Sequence, residues 1–154
     1  MRLRDYMIPE LVLVDVPGSD REAVLDAMAQ ALCKAIPNLD CKTVWDGLIE
    51  REKKIATGLE RGVAVPHTTL VGLEKTLLLV ARLDQPVDFE ALDGKPVDLI
   101  FMLLSPPECI ATHIRLLARV ARLCSAGGLL DAMREAKDEE ALFRVVEEED
   151  GRHV

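Results

Sequence analysis

Residues 76–104 read TLLLVARLDQPVDFEALDGKPVDLIFMLL. Two near-continuous apolar runs, 76–83 and 97–104, flank the breakers Asp84-Gln85-Pro86 and Asp93-Gly94-Lys95-Pro96. Runs of this length, rich in Leu, Val and Ile and bounded by turn residues, predict strands buried on both faces. The two strands follow one another with no helix between them, so the order is not a clean βαβ alternation. With helical segments on either side in the chain, the pattern predicts an α/β layered domain built on a mixed sheet.

Upstream, Leu11-Val12-Leu13-Val14 predicts a short strand closed by the Pro17-Gly18 turn. Ser19 then reads as a helix N-cap, with Glu22 completing a capping box. Val24, Met28, Ala31, Leu32 and Ala35 share one face of that helix, which Pro37-Asn38 ends. Asp40 is placed to cap a second helix over 42–53, with Val44, Trp45, Leu48 and Ile49 as its apolar stripe. Gly58 and Gly62 bracket a loop, and Gly62-Val63-Ala64-Val65-Pro66 reads as a short strand ending at His67.

Downstream, Pro106-Pro107 stops the second buried strand. A helix is predicted over 109–124, its apolar positions including Ile110, Ile114, Leu117, Val120, Ala121 and Cys124. After Gly127-Gly128 comes a short helical segment over 129–135. Asp138 caps a last helix with Ala141, Leu142, Val145 and Val146 turned inward, and the acidic tail 147–154 is expected to fray. No repeat or linker interrupts the 154 residues, so one domain over 1–154 suffices.

The formal net charge of −8, with no basic run, argues against nucleic acid as a partner. Cys33, Cys41, Cys109 and Cys124 form no C-x-x-C pair and have no histidine at metal-finger spacing; they read as reduced thiols of a cytoplasmic protein, not as a disulfide framework or zinc site. The charged start, Met1-Arg2-Leu3-Arg4-Asp5, does not read as a signal peptide. No apolar stretch approaches the roughly 20 residues that span a bilayer, so no membrane insertion is expected.

Three histidines are available for chemistry. His153 lies in the ragged tail and is expected to be exposed and idle. His67 follows a short strand and Pro66 in a loop that would expose it at a sheet edge on a rigid base. His113 lies near the start of an apolar helix, where free N–H groups and the helix dipole suit an anion. A neutral imidazole can accept a phosphoryl group on a ring nitrogen, while a second imidazole or an arginine holds the phosphoryl oxygens. Spacing alone favours the bland reading: a histidine after a strand is more often structural, and one on an amphipathic helix is more often a polar-face residue.

The segment Gly62-Val63-Ala64-Val65-Pro66-His67 resembles the phosphorylation motif of the fructose/mannitol-type IIA domains of the bacterial phosphoenolpyruvate-dependent sugar phosphotransferase system. The resemblance extends to Arg51-Glu52-Lys53, sixteen positions before His67 at its arginine, and to Thr57-Gly58. It continues through Pro86-Val87-Asp88-Phe89, the run from Asp93 to Pro106, and Thr112-His113-Ile114-Arg115-Leu116-Leu117. It implies a single α/β domain, a mixed β-sheet flanked by helices on both faces. It also implies His67 as phospho-acceptor through Nε2, His113 as the supporting imidazole and Arg51 as the positive charge on the phosphoryl oxygens. The implied partners are a histidine-containing phosphocarrier protein and either a IIB domain or a regulatory target protein; no cofactor and no metal are expected. The stretch from Pro86 to Pro106 resembles the nitrogen-regulatory branch more closely than the sugar-transport branch.

One departure stands out. Many family members have glycine after the Pro-His, whereas here Thr68 and Thr69 follow; the Thr68 hydroxyl would either donate to the phosphoryl group or, as favoured here, cap a turn. Two other classes compete. A non-catalytic protein-interaction module with the same fold would not require Arg51, His67 and His113 together. A metal-dependent hydrolase would need ligands such as Asp88 or Asp93, and no recognised metal spacing links them to the histidines.

Overall fold

The computed structural model describes residues 1–54, 56–125 and 127–153. Its elements in chain order are β1 (Val12–Val16), α1 (Arg21–Ala35), α2 (Cys41–Lys54), β2 (Val63–Ala64), β3 (His67–Thr69), β4 (Leu77–Val87), β5 (Val97–Ser105), α3 (Ile110–Ser125), α4 (Leu129–Glu135) and α5 (Glu139–Gly151). The sheet order is β1-β4-β5-β2, with β3 also on β5. β4 and β5 run antiparallel, while β1 joins β4 and β2 and β3 join β5 in parallel. The sheet is therefore mixed, as the two consecutive buried strands predict.

The alternation of side chains along β4 and β5 splits the core into two layers. Leu77, Leu79, Ala81, Ile100, Met102 and Leu104 pack beneath α1 and α2. Leu78, Val80, Leu99, Phe101 and Leu103 pack beneath α3, α4 and α5. Because both faces are covered, neither strand shows a polar alternation in sequence. Each fully buried Leu here contributes roughly 1.5–3 kcal/mol of transfer free energy.

Several local expectations are corrected. The N-cap of α1 is Asp20, not Ser19; its carboxylate accepts from the Ala23 N–H at 2.8 Å. β4 does not stop at Asp84-Gln85-Pro86 but continues to Val87 through a register shift between Arg82 and Val87. Proline is tolerated there because a bulge relieves it of a ladder hydrogen bond. Cys33 and Cys41 are not free thiols: they form a disulfide across the α1–α2 turn, with a Cα–Cα distance of 5.8 Å. The turn brings two helix ends within bridging range, which a separation of eight residues does not reveal. Cys109 and Cys124 are free, and burial pushes the Cys124 thiol up to about 12. Two 3₁₀ turns, Leu3–Tyr6 and Pro9–Leu11, bury Leu3 and Leu11 near the N-terminus; Leu11, read from the sequence as the first strand residue, ends the second turn, and β1 starts at Val12.

The tail is also not frayed. α5 continues to Gly151, and Val154, the last residue of the tail, lies outside the described residues. Asp150 is 1% exposed and accepts from Arg119 Nε at 2.6 Å and from the Leu3 N–H at 2.8 Å. One carboxylate thus joins α5, α3 and the N-terminal turn. Replacing it leaves the Arg119 charge and a backbone N–H buried without that partner. Asp150→Ala is expected to destabilise the fold by about 3–5 kcal/mol, read as a lower urea midpoint with an unchanged slope; a midpoint within error of the parent would show that the pair contributes nothing net.

Candidate functional site

His67 sits on a strand that is interrupted without losing register. Val63 pairs with Leu99, Ala64 with Ile100 and His67 with Leu103, all on the same parallel offset. Between them Pro66 has no N–H to offer, yet its carbonyl still accepts from the Leu103 N–H at 2.9 Å. His67 therefore opens a new strand where the sequence suggested the end of one. The expected placement at a sheet edge holds.

Gly62 starts this segment at φ +82°, and a Cβ there would lie 2.5 Å from Arg134 Nη2 and 2.8 Å from Asp98 Oδ1. Arg134 grips Asp98 through both carboxylate oxygens, at 2.8 and 2.9 Å, and donates to the Arg61 carbonyl at 2.6 Å. The motif glycine is thus required twice, for its backbone angle and for the ion pair closing over it.

The half-buried His67 ring is held at both nitrogens. Nδ1 lies 2.7 Å from the Val65 carbonyl, and Nε2 lies 2.9 Å from Arg51 Nη2. A carbonyl only accepts and a guanidinium only donates. Both contacts are satisfied by the tautomer with its proton on Nδ1, which leaves the lone pair on Nε2. Burial lowers the His67 pKa below its usual value; the Val65 bond opposes this, the Arg51 charge adds to it, and Glu52 opposes it. The ring is neutral at pH 7.

His113 is brought beside it by α3, with ring centroids 5.8 Å apart and planes 55° apart. Its Nδ1 lies 2.8 Å from Ser105 Oγ at the end of β5. Burial first, then the nearby His67 and Arg51 charges, lower its pKa to about 4. Arg51, His67 and His113, sixteen and forty-six positions apart in the chain, are thus assembled in one place. His153 is not part of the group; it lies at the end of α5, 3.1 Å from Glu149.

Residues to which the sequence reading gave no role of their own support the group. Glu52 is 3% exposed and accepts from the Thr57 N–H at 3.0 Å, the Thr57 hydroxyl at 2.6 Å and Arg21 at 3.3 Å. From its place in α2, one position after Arg51, it fixes Thr57 in the loop that follows the helix. Its neighbour Arg51 was legible as a charge, but burial of an acid one position on has no local signature. Thr57, Leu59, Val65, Leu117 and Ala121 line a hollow of about 260 Å³ that also reaches Arg51 and His67. Ile110 and Ile114 on α3 are 48% and 60% exposed, so part of the apolar pattern read on this helix faces outward rather than into the core.

Thr68 lies within β3, not in a turn; its hydroxyl makes a 3.4 Å contact with the Thr69 carbonyl. Asp88 and Asp93 are occupied as local caps, accepting from the Glu90 N–H and from the Arg61 and Lys95 N–H groups. Among the described residues no three His, Cys, Asp or Glu side chains are grouped to hold a metal ion, and no helix is long and apolar enough to cross a membrane.

The family described as phosphoenolpyruvate-dependent sugar phosphotransferase system, EIIA 2, matches residues 6–149. A nitrogen regulatory protein of Pseudomonas aeruginosa is 38% identical over 146 residues, 95% of each chain. The crystal structure of nitrogen regulatory protein IIA-Ntr from Neisseria meningitidis superposes with a TM-score of 0.84 at 26% identity, covering 92% of this chain and 97% of that one. The fold is also shared, at a TM-score of 0.72 and 15% identity over 89% of this chain and 94% of that one, with a chain from a complex of enzyme IIAMtl and phosphorylated enzyme IIBMtl of Escherichia coli.

The depressed His113 pKa makes stability depend on pH. Unfolded, the ring titrates near 6.5; folded, near 4. Between those values the unfolded chain binds more protons, so the contribution is complete above pH 6.5 and is lost as pH falls towards 4. The melting temperature of the wild type is expected to fall more between pH 7 and 4.5 than that of His113→Gln. Equal falls would place the His113 pKa near its ordinary value.

Proposed function

The chain belongs to the phosphoenolpyruvate-dependent sugar phosphotransferase system EIIA 2 family, and from that premise we propose that it is a phosphocarrier domain spanning residues 1–154 that carries a phosphoryl group on His67. The observation that carries this reading is the His67 tautomer: Nδ1 donates to the Val65 carbonyl, and Nε2 keeps a lone pair beside Arg51.

In the reading proposed, the donor is the phosphohistidine of a histidine-containing phosphocarrier protein. The lone pair of His67 Nε2 forms a new N–P bond as the N–P bond of the donor breaks, and the donor ring recovers its electron pair. His67 keeps its Nδ1 proton and its ring becomes positively charged; the Val65 carbonyl, 2.7 Å from that proton, stabilises the charge as it develops. Arg51 must release Nε2 for the bond to form, and its guanidinium transfers to a phosphoryl oxygen, a shift of one hydrogen-bonding partner. His113 faces the same group from α3 as a neutral imidazole. Such transfer depends on position and electrostatics more than on covalent chemistry by the protein.

The exposed Ile110 and Ile114 beside His113, with the hollow lined by Leu59 and Leu117, form the proposed docking surface for the carrier. Downstream, the phosphoryl group passes to a IIB domain or is read by a regulatory target. The complex of IIAMtl with phosphorylated IIBMtl supports the first kind of partner, and the 38% identity to a nitrogen regulatory protein favours the second. A phosphoryl group adds about −1.5 to −2 of charge at the surface, enough to change partner choice without a change of fold. The work is proposed to take place in the cytoplasm.

The test is incubation with phosphoenolpyruvate, enzyme I and the carrier, with the modified residue located by mass spectrometry that preserves phosphohistidine. Label is expected on His67, and His67→Ala should take up none; label persisting in that variant would falsify the assignment. Arg51→Ala should slow uptake by on the order of 10² if it stabilises the transferring group; a parental rate would remove that role. A folded wild type that takes no label from cognate carriers would instead indicate an interaction module.

A further inference from the structure

Two hydroxyls unused by this chemistry lie behind His113. Ser105 ends β5 and Thr76 immediately precedes β4, and they are 0% and 4% exposed. Their neighbours Leu77, Leu103 and Leu104 are aliphatic and buried. A buried hydroxyl without a partner costs roughly 1–3 kcal/mol, so a polar pair at this point in a hydrocarbon sheet calls for a function.

The pair forms a directed chain. Thr76 Oγ1 donates to Ser105 Oγ at 3.0 Å, and Ser105 Oγ lies 2.8 Å from Nδ1 of His113. A hydroxyl has a single hydrogen. Thr76 fills one of the two lone pairs of Ser105, and the hydroxyl is shut off from solvent with Nδ1 as its one other partner among the described residues, so its hydrogen goes to Nδ1. Nδ1 is then an acceptor, and the neutral ring carries its proton on Nε2.

We infer that Ser105, backed by Thr76, is a positioning residue that holds His113 as its Nε2–H tautomer, so that the ring offers a hydrogen-bond donor to the phosphoryl group carried by His67. The inference rests on the phosphocarrier reading. The other tautomer would turn a lone pair towards an anion. The two imidazoles are thereby set oppositely by uncharged partners: a carbonyl places the His67 proton on Nδ1 and frees Nε2 to attack, while a hydroxyl takes up the Nδ1 lone pair of His113 and leaves Nε2–H to donate. Sheet pairing makes this possible. Ser105 lies two residues along β5 from Leu103, the residue opposite His67, and the pairing of Leu77 with Leu104 brings Thr76 to the other edge of the same strand.

The experiment is long-range proton–nitrogen NMR of the histidine rings in the full, unphosphorylated chain, paired with the time course of label uptake. Wild-type His113 is expected to show a protonated Nε2 and a bare Nδ1. In Ser105→Ala and Thr76→Val the His113 signals should move towards a mixture of tautomers, with His67 unchanged. Uptake should slow by up to about tenfold, the population change that one neutral hydrogen bond supports, and Thr76→Ser should restore both readouts. Thr76→Val keeps Ser105 and the side-chain volume, so it carries the test if Ser105→Ala does not fold. A wild-type His113 protonated on Nδ1, or both variants keeping the parental tautomer, overturns the inference. The spectra need no phosphorylation, so a wild type with the expected tautomer but no label overturns the phosphocarrier reading instead.

Discussion

β5 is hydrogen-bonded along both edges and buried on both faces, and every other part of the domain is placed relative to it. β4 occupies one edge and the interrupted pair β2–β3 the other. Its side chains supply both core layers, and its last residue, Ser105, contacts His113. A strand so constrained cannot slip by one residue without turning its whole Leu, Ile and Phe content onto the wrong layer. The positions of His67 and His113 are therefore tied to one rigid element, although they lie on a short edge strand and on a helix.

The chemistry of the site follows from how little charge it holds. Burial favours the neutral form of both imidazoles, since a protonated ring would lose its hydration. The cation beside the rings is Arg51, whose guanidinium lies 2.9 Å from His67 Nε2. In the proposed reading, the neutral His67 ring beside the Arg51 guanidinium suits the arrival of a dianionic group. The cost is carried by the framework: Glu52 is buried against Thr57 and Arg21 next to Arg51, and it anchors the loop that walls the hollow.

Two ion pairs away from the site keep its flanks in place. Arg134 and Asp98 clamp the Arg61–Gly62 turn that launches the His67 strand. Arg119 and Asp150 join α3 to the end of α5 and to the N-terminal turn. Since α3 carries His113, its seating affects the distance between the two rings. The acidic character of the chain is thus not spread evenly in effect; a few carboxylates hold the architecture, while most remain solvated.

The sequence by itself determined the layered α/β class and the mixed sheet, because two apolar runs at 76–83 and 97–104 with only turns between them admit no crossover helix. Resemblance in the Pro-His segment and in the positions of Arg51 and His113 was enough to propose the site. Periodicity and spacing alone could not do so, since a histidine has the same local pattern whether idle or reactive. Tertiary structure decided what depends on distance: the neutral His67 tautomer, set by a carbonyl two residues back, and the contact of Ser105 with His113 across a strand end. It also decided the Cys33–Cys41 bridge, the ordered end of α5 held by Asp150, and the outward face of Ile110 and Ile114. Hydrophobic pattern reports whether a face is buried, and it is silent on which buried polar atoms will meet. Those pairings are long-range, and they exist only once the sheet has set its register.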